Sequence, residues 1–314
     1  MKNETIGFIG LGNVGSKLVK NLINKKNKIN VFDKNKKKYF KLSKKNFIIC
    51  KNIEELCQNS SIIITCLPSP FAVNKVIKSL LPFINKKHLW IEMSTTDKDE
   101  MIRLSKLINK KGAGVLESPI TGGEHRAKSG NISIICSGKD KYFQRAFPYL
   151  SKMAHQILLC SNKIGNASIL KIITNYLASL HLIGIGESLV VAKKHNIDLG
   201  LAHKAIKISS GNSFVNDTET KVILSGSYDA GFTMDLVNKD VGLFLKLAIE
   251  KKIRLELGNI INKIFNKGMK KLGKRSFSTS IVKLIENENK IKMRAKNFPK
   301  QLIDFQKKQK GIAV

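Results

Sequence analysis

The chain has 314 residues, 42% of them apolar, enough for two domains and a sizeable core of ordinary globular composition. Its formal net charge of +33 is not ordinary, but residues 1–100 hold 19 Lys and Arg against 8 Asp and Glu, a net of +11, and the other 214 residues carry +22. Charge spread so evenly along the chain argues against the concentrated basic patch that nucleic-acid recognition needs. We read it as compositional bias, with nonspecific attraction to polyanions as its consequence. The five cysteines, Cys50, Cys57, Cys66, Cys136 and Cys160, are odd in number and contain no C-x-x-C pair, which argues against disulfides and zinc. No apolar signal segment precedes the first strand-like run, so a cytoplasmic protein is expected.

Thr5–Ile9 is a short apolar run, followed by Gly10-Leu11-Gly12-Asn13-Val14-Gly15 and an amphipathic stretch to about Leu22. Strand, glycine turn and helix in that order suit a pyrophosphate. The glycines permit the tight turn, the close approach of backbone to phosphate and the close helix–strand packing, and the helix N-terminus offers an anion site. Ile29–Phe32 reads as the second strand and ends in Asp33, 18 residues after Gly15. An acid there accepts hydrogen bonds from both adenosine ribose hydroxyls and repels a 2′-phosphate. NAD is therefore favoured over NADP, although Asp33 also reads as a turn-forming acid and Lys34, Lys36 and Lys37 would welcome the extra phosphate.

The alternation continues with a strand at Phe47–Cys50, a short helix at Ile53–Asn59 and the apolar run Ser61–Leu67, typical of a buried parallel strand. Pro68-Ser69-Pro70 turns the chain at the C-terminal end of that strand, where ligands of open α/β sheets sit. A helix from about Phe71 to Leu81, the strand His88–Glu92 and the turn Met93-Ser94-Thr95-Thr96-Asp97 follow, with Asp97 read as a helix cap. A strand from about Ala113 to Glu117 leads into Ser118-Pro119-Ile120-Thr121-Gly122-Gly123, and Ile132–Cys136 is expected to be the last strand. Thr121, Gly122 and Gly123 offer a hydroxyl and bare backbone N–H groups, suited to a carboxylate clamp or to an ordinary glycine turn.

From about Ile164 the period is helical, apart from a loop at Ser209–Ser213 and a turn at Ser225–Gly231. The expected organisation is a dinucleotide-binding domain over 1–163, an all-helical domain over 164–298 and a basic, weakly structured tail over 299–314. Ala167–Ala192 is apolar almost all round a helical projection, with Lys171 and Glu187 its only charged side chains. Such a helix spans a membrane or lies in a large core. Its uncharged run Ile172–Gly186 is 15 residues, short of the ~20 a bilayer requires, so a buried helix is expected. Lys171 and Asn175, at i and i+4, share one face. Burial disfavours an ammonium and brings a lysine towards the range a general acid or base needs. The competing reading, in a chain with 56 Lys and Arg, is a solvated surface charge.

Together these blocks resemble the β-hydroxyacid dehydrogenase family, which includes 3-hydroxyisobutyrate dehydrogenases, tartronate semialdehyde reductases and short-chain relatives of 6-phosphogluconate dehydrogenase. The resemblance runs from Gly7 to about Asp240 and begins with the glycine motif. Ser118–Gly123, followed by Ala127, Gly130 and Ile132, is similar to the family's substrate-binding signature, with Thr121 where serine is usual. Gly165–Asn175 is similar to its catalytic block, and Asn238-Lys239-Asp240-Val241 to its Lys-Asp-Leu. The resemblance implies that Lys171 is the general acid/base, and that Ser118, Thr121, Gly122, Gly123 and Asn175 bind substrate. It gives Gly10, Leu11, Gly12, Asn13, Val14, Gly15, Asp33, Leu67, Pro68, Thr95 and Lys239 to the cofactor, with one polar contact missing because Ala72 replaces an asparagine.

The expected fold is α/β, an N-terminal doubly wound Rossmann-type sheet followed by an all-α C-terminal domain, with the active site in the cleft between them. The expected reaction is reversible hydride transfer between a small 3-hydroxy (or 2-hydroxy) carboxylic acid and NAD, or NADP as the alternative, without a metal. A homo-oligomer, dimer or tetramer, is expected, with neither membrane nor specific nucleic acid as partner. The rival readings are an aldehyde reductase of the tartronate, succinic semialdehyde or glyoxylate type, and a non-enzymatic polyanion-binding protein.

Overall fold

The computed structural model describes residues 4–23, 28–43 and 45–314. Met1–Asn3, the start of the segment expected to run straight into the first strand, lie outside the described residues. In chain order the elements are β1 (Ile6–Ile9), α1 (Gly15–Asn21), β2 (Ile29–Phe32), β3 (Phe47–Ile49), α2 (Ile53–Gln58), β4 (Ile62–Thr65), α3 (Pro70–Leu80), β5 (Leu89–Glu92), α4 (Lys98–Lys110), β6 (Gly114–Glu117), β7 (Ile120–Thr121), α5 (Gly123–Ser129), β8 (Ile132–Ser137), α6 (Asp140–Met153) and β9 (Ala154–Ser161). Then come α7 (Asn166–Lys194), α8 (Leu199–Lys207), α9 (Phe214–Leu224), α10 (Met234–Glu250), α11 (Glu256–Leu272), α12 (Val282–Glu288) and β10 (Ile312–Ala313).

The sheet runs in the order β3-β2-β1-β4-β5-β6-β8-β9-β10, with β7 paired to β8 beside this path. From β3 to β6 the neighbours are parallel; β8 opposes β6, and β9 and β10 run with β8. The chain leaves β1 for β2 and β3 on one side, then returns to β4 on the other. That reversal between β1 and β4 is where an open α/β sheet binds ligands. The strands are apolar on both faces because helices cover both. In β4, Ile62 and Ile64 join the core under α1 and α6, while Ile63 joins the core under α3 and α4.

The chain divides into two compact units, Met1–Lys171 with Asp304–Val314, and Ile172–Ile303. The division falls beyond the composition shift at Ser161–Gly165 because the first turn of α7 is bonded to β6 and β8 of the first unit. The second unit is helical. Leu182, Leu189, Ile223, Met234, Phe265 and Ile281 lie at the centre of its core, and Asp198 and Ser213 cap α8 and α9 with their side-chain oxygens.

Three expectations are corrected. The strands do not stop at Cys136: β9 is eight residues long, starting straight from the end of α6 with no turn residue to mark it. The C-terminal segment is no loose tail. Asp304 accepts from Ser129 and Asn131, Gly311 N donates to the Ser151 carbonyl at 2.9 Å, and β10 extends the sheet beside β9. Nor is α7 buried on every face. Leu182, Ile183, Ile185 and Leu189 lie in the second core, but Leu177 is 42% and Val191 59% exposed. Among the described residues α7 is the one helix long and apolar enough to cross a membrane by length and composition, and 39% of its most apolar 18-residue window is buried.

Asn131 is fully buried, and its amide donates to the Asp304 carboxylate at 2.9 Å and to the Gln306 carbonyl at 2.8 Å. Asn131→Ala is expected to lower the urea unfolding free energy by about 1–2 kcal/mol and to speed proteolytic cleavage within 304–314. Unchanged cleavage would show that the segment is held without Asn131.

Candidate active site

The glycine turn follows β1 at the sheet reversal. Gly10 has φ +100°, and a Cβ on Gly15 would run into the Gly10 carbonyl, so both positions require glycine. Gly12 is different: a Cβ there would meet nothing within 4 Å. Its backbone therefore faces open space, as a group admitting a phosphate must. No side chain caps α1 and its first turn carries no acid. The N–H groups of Ser16, Lys17 and Leu18 already donate to the Gly12 and Val14 carbonyls, so it is the N–H groups of the turn itself, Gly12 to Gly15, that face an anion. At the end of β2, Asp33 accepts from Leu11 N at 2.7 Å and from Asn35 N at 2.8 Å. One oxygen is thus fixed against the glycine turn, and each keeps a lone pair for a ribose hydroxyl. These residues fit a dinucleotide.

The loops after β4 and β5 are held by a buried polar cluster. Trp90 Nε1 donates to Thr65 Oγ1 at 2.8 Å, and Thr65 Oγ1 donates to Glu92 at 2.6 Å. The other Glu92 oxygen accepts from Ser94 N at 2.7 Å, and Ser94 Oγ accepts from Leu67 N at 2.8 Å. This chain fixes the backbones of Leu67 and Ser94, which flank Pro68 and Thr95. Burial pushes the Glu92 carboxyl up to about 7, against the hydrogen bonds from Ser94 and Thr65. Next to Thr95, the hydroxyl of Thr96 is buried without a hydrogen-bond partner among the described residues.

After β6 the chain turns through Thr121, Gly122 and Gly123. Gly122 has φ +117° and Gly123 φ +78°, two successive left-handed residues that explain the glycine pair. The Thr121 hydroxyl makes no hydrogen bond to another described residue. The side chains of Arg126 and His125 fold back over the turn, within 3.0 and 3.3 Å of where Cβ atoms on Gly122 and Gly123 would stand. Ser118 is fully buried, its hydroxyl 3.5 Å from Cys136 Sγ.

Lys171 is only 5% exposed. It lies in the second turn of α7, and the first turn is held by a residue that sequence reasoning missed. Glu117, at the end of β6 and fully buried, accepts from Gly165 N at 2.7 Å, Ser168 N at 2.8 Å, Ser137 Oγ at 2.5 Å and the Ser168 hydroxyl. The only sequence signal for it was an acid standing in an otherwise apolar strand.

In the second unit Asn175, one turn beyond Lys171 on α7, donates to Asp240 Oδ2 at 2.6 Å. Asp240 is buried and its other oxygen lies 2.5 Å from Lys239 Nζ. Asp240 thus orients both Asn175 and Lys239, a role the reading of the motif gave to neither the acid nor the pair. Among the described residues no group of three or more His, Cys, Asp or Glu is placed to hold a metal.

Residues 5–164 match a family model described as the NAD binding domain of 6-phosphogluconate dehydrogenase. Residues 165–285 match one described as NAD-binding of NADP-dependent 3-hydroxyisobutyrate dehydrogenase. The chain is 29% identical over 294 residues to the mitochondrial 3-hydroxyisobutyrate dehydrogenase of Rattus norvegicus, covering 90% of this chain and 88% of the relative. It is 27% identical over 271 residues to the 2-(hydroxymethyl)glutarate dehydrogenase of Eubacterium barkeri, covering 85% and 90%. In fold it is similar to a Mycobacterium tuberculosis 3-hydroxyisobutyrate dehydrogenase solved with L-serine, with a TM-score of 0.79 and 23% identity over 90% of this chain and 99% of that one.

The contrast between two glycines gives a direct check. Gly12→Ala is expected to leave the melting temperature within about 2 °C of wild type, since the methyl meets nothing, yet to weaken NADH binding in a fluorescence titration at least tenfold. Gly15→Ala is expected to lower the melting temperature itself. Equal coenzyme affinity in Gly12→Ala and wild type would place the pyrophosphate elsewhere.

Proposed function

The chain belongs to the β-hydroxyacid dehydrogenase family and is an NAD(P)-dependent oxidoreductase of the 3-hydroxyisobutyrate dehydrogenase type, acting on CH–OH groups; on that premise we propose that Lys171 is its general acid/base and a small 3-hydroxy (or 2-hydroxy) carboxylic acid its substrate. The observation that carries this reading is a lysine almost wholly buried in a helix that starts from the ligand-binding edge of the sheet. A buried lysine changes its proton affinity more readily than a solvated one, which is what suits it to general acid/base work.

In oxidation a neutral Lys171 Nζ takes the hydroxyl proton while the carbinol C–H bond breaks and the carbonyl forms; in reduction the ammonium returns the proton. A nicotinamide coenzyme held at Gly10–Gly15 and Asp33 would accept or supply the hydride. Thr121 Oγ1 and the N–H groups of Gly122 and Gly123 hold the carboxylate. Asn175, fixed by Asp240, orients the substrate, and Lys239 is assigned to the coenzyme. A cationic lysine and fixed donors are sufficient to stabilise the developing alkoxide. The carboxylate of Asp33, already turned towards Leu11, favours NAD over a coenzyme carrying a 2′-phosphate.

We assign coenzyme binding, the carboxylate clamp and Lys171 to the first unit, and Asn175, Lys239 and self-association to the second. The open apolar side chains of Leu177, Val191 and Leu201 on α7 and α8 support a homo-oligomer. The five free cysteines suit a reducing compartment such as the cytoplasm.

The test follows NADH and NADPH absorbance with a panel of small hydroxy acids, including 3-hydroxyisobutyrate, 2-(hydroxymethyl)glutarate and glycerate. The corresponding aldehydes are assayed in reverse. One acid is expected to turn over faster with NAD than with NADP, and Lys171→Ala to lower its kcat by about 10²–10⁴-fold. Turnover of no acid or aldehyde sinks the substrate class; full turnover in Lys171→Ala sinks the lysine.

A further inference from the structure

We infer that Glu117 is a positioning residue for the reaction: its carboxylate sets the first turn of α7 and thereby the place of Lys171. The inference rests on the acid/base reading of Lys171 given above. An α-helix begins with backbone N–H groups that have no intrahelical acceptor. In α7 they are met by one unit built from two strands. Glu117 takes Gly165 N and Ser168 N, and Ser137 Oγ, itself donating to Glu117, accepts from Ala167 N at 3.4 Å. The entry is fixed as well: Gly165 has φ +102°, and a Cβ there would lie 3.0 Å from Ile102 Cδ1. Lys171 stands three residues past Ser168 and four past Ala167, on the next turn of the same face.

Every neighbour of the carboxylate is a donor: two backbone N–H groups and two hydroxyls fill its four lone-pair sites. This explains why glutamine cannot stand in for it. A carboxamide puts NH₂ where one oxygen was, and on either side it then faces a backbone N–H, Gly165 on one and Ser168 on the other. The serine hydroxyls can rotate to accept, but the backbone cannot. Glu117→Gln therefore leaves at least one buried N–H of the first turn unpaired and displaces the start of the helix. A displacement of the order of 1 Å at a reacting group costs about 100-fold in rate.

A double-mutant cycle tests this, with racemic 3-hydroxyisobutyrate as substrate and the coenzyme that wild type uses. Glu117→Gln is expected to lower kcat about 100-fold with KM nearly unchanged, and the double variant Glu117→Gln/Lys171→Ala to be no slower than Lys171→Ala alone. Equal losses from Glu117→Gln with and without Lys171 would make the role merely structural and overturn the inference. A wild-type rate in Glu117→Gln beside a crippled Lys171→Ala would overturn positioning and leave the lysine standing. A wild-type rate in Lys171→Ala would sink the lysine, and positioning with it. If Glu117→Gln does not fold, Ser168→Ala and Ser137→Ala each remove one hydroxyl and carry the same cycle with a loss of about tenfold. Amide hydrogen exchange reads the geometry without any substrate: residues 165–172 should exchange at least tenfold faster in Glu117→Gln, or in the serine variants, with the strands unchanged. Unaltered exchange there overturns the inference.

Discussion

Taking a carboxylate out of water costs several kcal/mol unless its lone pairs are filled, and around Glu117 they are filled by donors that a helix start cannot satisfy for itself. Each side of this arrangement solves the problem of the other. The strand end acquires a buried charge with four partners, and α7 acquires acceptors for its first turn. The negative charge also sits where the helix dipole is positive, which strengthens the hold. A 29-residue helix with few charged side chains has little else in its own sequence to fix where it starts.

The same construction recurs one strand away. Glu92 pairs in register with Glu117 across β5 and β6 and is also fully buried. Its partners are Thr65 and Ser94, and through Ser94 it holds the backbone of Leu67. The two acids lie in different environments. Glu117 has two backbone donors as well as hydroxyls, while Glu92 is driven up to about 7, by desolvation first and by the neighbouring charge of Glu117 among the lesser causes. The C-terminal edge of the parallel strands thus carries a row of groups that fix loops: Asp33 on the glycine turn, Glu92 on the loops after β4 and β5, and Glu117 on α7. Function at that edge follows from the topology, since the chain reverses direction between β1 and β4 and leaves strand ends there uncovered.

Much of this edge was legible in the sequence. Gly10 and Gly15 announce a turn that only glycine can make, Gly12 between them leaves room for a phosphate, and an acid ending the second strand is a local signal. The position of Lys171 within an apolar helix is equally local. What was not legible depends on long-range pairing. Glu117 reads as one more residue of a strand until Gly165 and Ser168, about fifty positions on, are brought to it. Asp240 reads as part of a Lys-Asp pair until Asn175 meets it. β9 escaped because it follows α6 without a break, and the C-terminal segment because lysine-rich composition hides the few residues that anchor it, Asp304 and Gly311 among them. The surroundings of Ser118 are hidden for a simpler reason. Its neighbour Thr121 faces the turn, and nothing in the spacing says that the hydroxyl of Ser118 faces Cys136 instead.

The central claim is that Lys171 carries the proton, and chemical rescue tests it most directly. Lys171→Ala would be assayed with the hydroxy acid that wild type turns over fastest, while small primary amines of graded basicity are added. The account predicts that turnover recovers in proportion to amine concentration and rises with amine basicity, as a proton-transferring group replaced from solution requires. A folded Lys171→Ala protein that binds coenzyme with wild-type affinity but gains nothing from any amine would contradict it.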